Sequence, residues 1–479
     1  MNVTDFIALL PLLIPAYGGV VLMFVIAFAR SARLAYWFTL ASFSVAFASI
    51  FVAWPHAPRT VAHLIRIDAY SLFFAGVILA AATLVTMLCG EYLRNREKSS
   101  QAFYVLMAFA VTGMLVIVAS AHFAAFFLGL ETLSVALYGL IGYTRKQSIS
   151  LEAAIKYLIM AAVSSAFLLF GIALIYADTG TMQFSRLALI SPSLSVVSYV
   201  GFGLVLVGIG FKLAWAPFHT WSPDIYQGAP APVTALIASC SKGAVFALLL
   251  RLVVVGVLQA GTETGHHVLA VLAVATMLTG NLLALTERNL KRLLAYSSIA
   301  QIGYLFIPLI AGGGGGASSA VFYLVSYMAA TIAAFGVISV VSATREAGDV
   351  ESLEDYAGLS ARRPWLAGVL AVAILSLLGM PLTAGFFAKF YIFSAAAGSG
   401  LWWLLIVGVV NTGMSAFYYL RVVFALYSRP ESIPETEPCR GLVCPGISLG
   451  LCVAIIVLMG VYPTPLVWLA RMVARCVGF

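Results

Sequence analysis

GFKLAWAPFHTWSPDIYQGAPAPVTA, residues 210–235, lies within a long apolar stretch yet carries a lysine, a histidine and four prolines. A proline inside a helix removes a backbone hydrogen bond and costs about 3 kcal/mol or more. In a bilayer no water satisfies the freed group, so a broken span is tolerated only where it lines a cavity or is packed in protein. The stretch therefore reads as a transmembrane helix interrupted near Pro217, with Lys212 before the break and His219 after it. A second stretch, LLGMPLTAGFFAKFYIF (377–393), repeats the pattern: Gly379, Pro381 and Gly385 interrupt a span that bears Lys389. Two interrupted helices, each with one buried lysine, are the mark of discontinuous helices at paired positions in a transporter.

The rest of the chain agrees. Of 479 residues, 62% are hydrophobic and 9% charged, against about 45–50% and about 25% in soluble domains. Disorder, a collagen-like fold and a disulfide-stapled module are excluded by the same composition. Apolar runs give fourteen candidate spans, near 6–29, 34–54, 69–90, 102–119, 122–143, 153–177, 195–217, 231–256, 267–285, 291–311, 318–342, 365–396, 401–427 and 447–469. No segment alternates with period two, so a β-barrel is not supported. The reading is an all-α polytopic membrane protein, a single membrane domain over 1–479. Residues 1–100 supply three helices, 101–256 a first five-helix repeat, 266–427 a second, and 447–470 a C-terminal helix. The interrupted helices are the seventh and twelfth, and an odd repeat of five inverts its second copy, so helices 4–8 are expected to match 9–13. Gly312–Gly316 is expected to be a short flexible connection, and the polar stretch Thr344–Pro364 a small amphipathic turn or helix.

Met1–Asp5 carry no basic n-region, and the apolar run after them is too long for a cleavable signal, so it reads as the first span. Cys89, Cys240 and Cys452 sit in apolar runs as small hydrophobes, and Cys439 and Cys444 share a loop without histidine, which argues against a metal site. The net charge of +8 is scattered through short loops, which fits a bilayer and not nucleic acid. Most basic residues fall in odd-numbered loops, among them Arg30, Arg94, Lys98, Arg145, Lys146, Arg288, Arg345, Arg362, Arg429 and Arg440. Even loops and the termini keep only Arg59, Arg66, Arg186, Arg471 and Arg475. Positive loops stay cytoplasmic, so both termini are expected on the outer, periplasmic side of a bacterial inner membrane.

Charges inside spans are expensive, about 2.5–3.5 kcal/mol each at the helix centre on insertion scales. Glu131, Lys212, Lys242 and Lys389 have no helix end within easy reach and are the candidates for function. Arg251 and Arg421, near helix ends, are read as snorkelling or structurally paired. Lys156 lies four residues after Glu152, so a structural pair and a functional role both stand. His219 is a relay candidate or a packing residue. Lysine suits proton movement: burial favours the neutral amine and a neighbouring carboxylate favours the ammonium, so a partner that moves loads and unloads a proton. Glu131 is the natural partner, as the one central acid. Tyr296, Ser297, Ser298, Gln301 and Tyr304 make the tenth helix polar, either to hold a water wire or to bond its neighbours.

At these residues the chain resembles the proton-channel subunits of respiratory complex I, the NADH:quinone oxidoreductase, and their relatives in multisubunit cation/proton antiporters. FLGLETLSVALYGLIGY (127–143), the 210–235 segment, KRLLAYSSIAQIGY (291–304) and the 377–393 segment carry the resemblance, with IDAYSLFF (67–74) in support. It spans nearly the whole chain. It implies a fourteen-helix fold with inverted five-helix repeats and a proton pathway through Glu131, Lys156, Lys212, His219, Lys242 and Lys389. Glu131 and Lys212 would form one half-channel, Lys242 would join the halves, and Lys389 would serve the exit. A related channel subunit has a glutamate where Lys389 stands.

No GxGxxG turn, flavin signature, CxxC cluster or haem ligand pair is present in the sequence, so no redox centre is expected in this chain. NADH, FMN, iron–sulfur clusters and quinone would be bound by partner subunits. The expected partners are the neighbouring antiporter-like and small membrane subunits and the lipid bilayer. The leading function is a proton-translocating subunit of a redox-driven translocase. The alternatives are a subunit of a multisubunit cation/proton antiporter and a structural subunit whose charges only pair helices.

Overall fold

The computed structural model describes residues 2–94, 96–97, 100–190, 195–258, 263–343, 348–428 and 443–476. Lys98, Arg345, Arg429, Cys439 and Arg440, named above, lie outside them. The N-terminal third runs α1 (Val3–Phe28), α2 (Ala32–Ala53), the short antiparallel strands β1 (Arg59–Val61) and β2 (Ile65–Ile67), α3 (Ala69–Arg94), α4 (Gln101–Ala119) and α5 (Phe123–Ile141). The middle comprises α6 (Ser148–Thr179), α7 (Phe184–Ile190), α8 (Val196–Leu213), α9 (Trp221–Gly228), α10 (Ala231–Leu236), a π-turn at Ile237–Ser241, and α11 (Lys242–Val254). The remainder is α12 (Glu263–Thr286), α13 (Leu290–Ala311), α14 (Gly313–Ser342), α15 (Leu359–Arg362), α16 (Pro364–Leu378), α17 (Ala384–Gly398), α18 (Trp402–Tyr427), α19 (Val443–Val461) and α20 (Thr464–Arg475).

Among the described residues, thirteen helices are long and apolar enough to cross a membrane. Where the sequence places one further span, 365–396, the chain forms two shorter helices, α16 and α17. Both interruptions expected from proline and glycine are present: α8 gives way to α9 across Ala214–Thr220, and α16 to α17 across 379–383. Each break contains a non-glycine residue in the left-handed region, Ala214 at φ 57° and Leu382 at φ 69°. Such residues are uncommon and persist where surrounding structure holds them.

Enclosed helices form the middle of the molecule. The Ala231–Val254 crossing, α13 and α14 are buried along nearly their whole length, whereas α1, α2, α6, α18 and α19 each keep an outward apolar face. Local chemistry sets many boundaries: Ser31 accepts from the Leu34 amide at the start of α2, Asn289 from the Lys291 and Arg292 amides at the start of α13, and Gly180, at φ 65°, ends α6.

Two expectations are corrected, and one small element is added. The glycine run is not a five-residue connection: Gly312 and Gly313, at φ 64° and 63°, make the turn, and Gly313–Gly316 already belong to α14. The C-terminal helix does not run on to 470: α19 ends at Val461, and Thr464–Arg475 forms a separate amphipathic helix, too short and polar to register as a span. A two-stranded ribbon, β1–β2, joins α2 to α3; three residues per strand leave no useful periodicity to detect.

Candidate functional site

The candidate site comprises three buried lysines, each held where a helix is broken or distorted. Lys212 sits in the last turn of α8, just before the chain leaves helical geometry at Ala214. Its side chain is 3% exposed, and its ammonium donates to Ser134 Oγ of α5 (2.8 Å) and to the Tyr157 hydroxyl of α6 (2.7 Å). Glu131 lies one turn from Ser134 on the same helix, but its carboxylate accepts from Ser165. The expected Glu131–Lys212 pair is therefore not in direct contact; Lys212 is bonded instead to Ser134, one turn along α5.

Lys242 is the first residue after the π-turn and is fully buried. Such turns, closed by i→i+5 hydrogen bonds, are rare and frequent at functional sites. Its ammonium donates to Ser298 Oγ of α13 at 2.6 Å. Ser298 also bonds the Tyr327 hydroxyl of α14 at 2.7 Å, and Tyr327 donates to the Ala238 carbonyl inside the π-turn at 2.9 Å.

Lys389, 5% exposed, lies in α17 and reaches back across the break to donate to the Leu378 carbonyl of α16 at 2.9 Å. Gly379, at φ 91°, and Gly385 make this possible; a Cβ on Gly385 would fall 1.7 Å from the Ser376 carbonyl oxygen. Beside Lys389 is a narrow cavity of about 10 Å³ lined by Gln301, Tyr323, Ser326, Tyr327 and Ser376. The Ser326 hydroxyl on its wall is buried without a hydrogen-bond partner, and the space is about that of a single water. Gln301 donates to the Leu377 carbonyl (2.9 Å) and the Tyr419 hydroxyl (3.1 Å) and accepts from Tyr323. Ser297 bonds Tyr419, and Tyr304 bonds Thr412. The polar face of α13 thus binds its neighbours and also lines a cavity.

Two expected residues stand apart. Lys156 is not among the buried lysines: its side chain is 46% exposed and pairs with Glu152 (2.7 Å) and Asp224 (3.1 Å). Asp224 is shared with Arg292 (2.8 Å), which also pairs with Glu287. His219 sits half-buried in the α8–α9 break, with no hydrogen-bond partner at its buried Nδ1 and no bond to Lys212. Sequence reasoning did not single out Ser134, Tyr157, Tyr323, Tyr327 or Tyr419. Their only signal is a hydroxyl within an apolar helix.

The remaining buried charges are structural. Arg251, fully buried, pairs with Asp68 at 2.7 Å beside the Tyr70 ring, so it is an ion pair and not a snorkelling side chain. Arg421 caps the end of α12 through the carbonyls of Leu285 (3.1 Å) and Glu287 (2.6 Å). In the segment before α15, Asp349 binds Arg96 (2.9 Å) and Lys291 (2.8 Å). Burial opposes its charge, but those two cations outweigh it and hold the carboxyl below the usual carboxylate range. Among the described residues no three His, Cys, Asp or Glu side chains converge to hold a metal.

Residues 120–415 match the family described as NADH:quinone oxidoreductase/Mrp antiporter, transmembrane. A relative from Chromohalobacter salexigens named NADH-quinone oxidoreductase subunit N is 41% identical over 482 residues, covering 98% of this chain and 100% of its own. A chain of respiratory complex I from Thermus thermophilus, solved with bound aureothin, has a TM-score of 0.83 at 33% identity, covering 96% of this chain and 99% of that one. A chain of the Mrp complex from Dietzia sp. DQ12-45-1b has a TM-score of 0.85 at 21% identity, over 98% and 97% of the two chains, and shares the fold.

Proposed function

Because the chain belongs to the NADH:quinone oxidoreductase/Mrp antiporter family, we propose that it is a proton-translocating membrane subunit of an NADH:quinone oxidoreductase, of the subunit N type. The observation that carries this reading is the set of buried lysines, Lys212, Lys242 and Lys389, each at a helix break or π-turn. A charge buried in a span is otherwise avoided, and its usual use is an ion or proton pathway.

In this reading protons move between lysine amines through hydroxyls and water, and Glu131 biases Lys212 through their shared neighbourhood on α5. Lys389 serves the exit. Lys156, with Glu152 and Asp224, and His219 lie on the flank of this pathway and feed it. Helices α4–α11 and α12–α18 form the two inverted five-crossing repeats, and α1–α3 precede them. Electrons pass elsewhere: NADH, FMN, iron–sulfur clusters and quinone belong to partner subunits, and this chain carries no redox centre. The complex lies in a bacterial inner membrane with both termini of this chain outside, as the loop charges favour. The antiporter alternative shares the fold, but 41% identity to a relative named subunit N, against 21% to the Mrp chain, favours the redox-driven complex.

The test is co-purification in mild detergent. The chain should migrate on native gels in a large assembly that retains NADH:acceptor activity, and Lys212→Met should abolish its proton uptake while that assembly persists. Migration as a free monomer under conditions that preserve the activity refutes the reading.

A further inference from the structure

Two helix crossings share one geometry. A Cβ built on Gly113 of α4 would meet the Gly129 carbonyl and the Leu133 amide of α5, both at 2.7 Å; one built on Gly280 of α12 would meet the Tyr296 carbonyl (2.7 Å) and the Ala300 amide (2.5 Å) of α13. Small residues permit such close crossings in membranes. The same contact recurs where Gly171 of α6 meets Gly201 and Val205 of α8; taking α4–α5 and α12–α13 as the first crossings of the two halves, it matches Gly129 with Tyr296 and Leu133 with Ala300. Ser298 then occupies the place of Glu131, and Gln301 that of Ser134. Ser134 binds Lys212, and its counterpart Gln301 lines the cavity with Lys389. The second half repeats the lysine and its polar neighbour but puts a serine where the first half has its acid.

That serine is a junction. Lys242 has only protons to give, so Ser298 Oγ accepts from it. Tyr327 has one proton, which goes to the Ala238 carbonyl, so in the Ser298–Tyr327 bond the serine is the donor. The hydroxyls therefore point in series from Lys242 to Tyr327 and end on a backbone carbonyl, while the Tyr327 ring borders the cavity that holds Lys389.

We propose that Ser298 and Tyr327 form the switched proton link between Lys242 and Lys389, closed while the Tyr327 hydroxyl rests on Ala238 and open when it turns into the cavity. This rests on the proton-pathway reading above. In the open state the ammonium of Lys242 gives a proton to Ser298 Oγ, Ser298 gives its own to Tyr327, and Tyr327 gives its own, through the one water the cavity has room for, to the neutral Lys389 amine. Lys242 is left neutral, Lys389 becomes an ammonium, and both hydroxyls are restored with their O–H bonds turned. No acid is required in the second half.

The experiment measures proton uptake per NADH oxidised by vesicles carrying the assembled complex. Tyr327→Phe keeps the ring and removes the hydroxyl; it should reduce uptake to the level of Lys389→Ala, as should Ser298→Ala, while Ser298→Thr keeps more than half of wild-type uptake. An equal loss in Ser298→Thr marks a packing role and overturns the link. Wild-type uptake in Tyr327→Phe beside an impaired Lys389→Ala also overturns it, and leaves the lysine pathway standing. Wild-type uptake in Lys389→Ala itself overturns the pathway and the link together.

Discussion

The Lys389 ammonium donates to the Leu378 carbonyl at 2.9 Å across the break in its own span. Leu378 is the last residue of α16, so this carbonyl is one of those a helix end leaves without an intrahelical partner. The C-terminal end of a half-helix also carries partial negative charge, worth about 0.3–1 kcal/mol to a cation nearby and more when partly buried. Lys212 has the same relation to α8, in whose last turn it lies. Both lysines of the paired breaks are thus placed at the negative end of a half-helix, one from within and one from across the gap.

Lys389 offers the first test. An arginine keeps the charge but stays protonated in practice. Lys389→Arg and Lys389→Ala should therefore both lose proton uptake in NADH-driven vesicles, normalised to assembled complex, while Lys389→Glu retains part of it. Wild-type uptake by the arginine variant would identify a fixed charge and not a carrier.

For Glu131 the indirect placement matters. Its carboxylate acts on Lys212 without touching it, so Glu131→Gln should slow uptake without impairing assembly, and Tyr157→Phe should slow it as well by removing one of the two bonds to the ammonium. A hydrogen bond to a charged group contributes about 1.5–3 kcal/mol. Full-rate uptake in both variants would remove Glu131 and Tyr157 from the pathway.

The Arg251–Asp68 pair predicts a stability effect without a direct part in transfer. Removing one partner of a buried ion pair costs about 3–5 kcal/mol, because the other charge is left uncompensated. Asp68 also pairs with Arg66 at 3.1 Å, so Asp68→Leu, which leaves Arg251 buried without its acid, should lower the thermal midpoint of the purified complex or its assembled yield more than Arg251→Met does. The double replacement should recover much of the loss. Additive losses in the double variant would show that the pair is not the source.

At Asp349 the consequence is a pH dependence. Its carboxyl is held below the ordinary range by Lys291 and Arg96, with burial acting against them. The stabilisation is present above the unfolded carboxylate value, about 3.9, and fades as pH falls through the lower folded value. Thermal midpoints of the wild type should lose this contribution only below about pH 4. Asp349→Asn should lose it at neutral pH and converge with the wild type in acid; parallel profiles would refute this account.

Much of this architecture was written in local sequence. Hydropathy located the crossings, since about 20 apolar residues are needed to span a bilayer wherever they occur. Pro217 and Pro381 with its flanking glycines located both breaks, because their effect on the backbone acts within a few residues. Lys212, Lys242 and Lys389 stood out for the same reason: a charge in an apolar run is costly whatever surrounds it. The polar face of α13 was visible, but not which of its groups bind and which line a cavity.

What each lysine touches was decided by tertiary structure alone. Ser134 lies 78 residues from Lys212, Ser298 lies 56 from Lys242, and Tyr157 lies 55 from Lys212. Serine and tyrosine occur in many helices without consequence, and only helix packing turns a few of them toward an ammonium. The same packing leaves Lys156 outside the buried set with Asp224, a partner 68 residues away, beside the Glu152 that the i,i+4 spacing had already offered. Periodicity tells which residues share one helix face; which other helix that face meets depends on the close approach of backbones, such as Gly113 against Gly129 and Gly280 against Tyr296, made only in the folded chain.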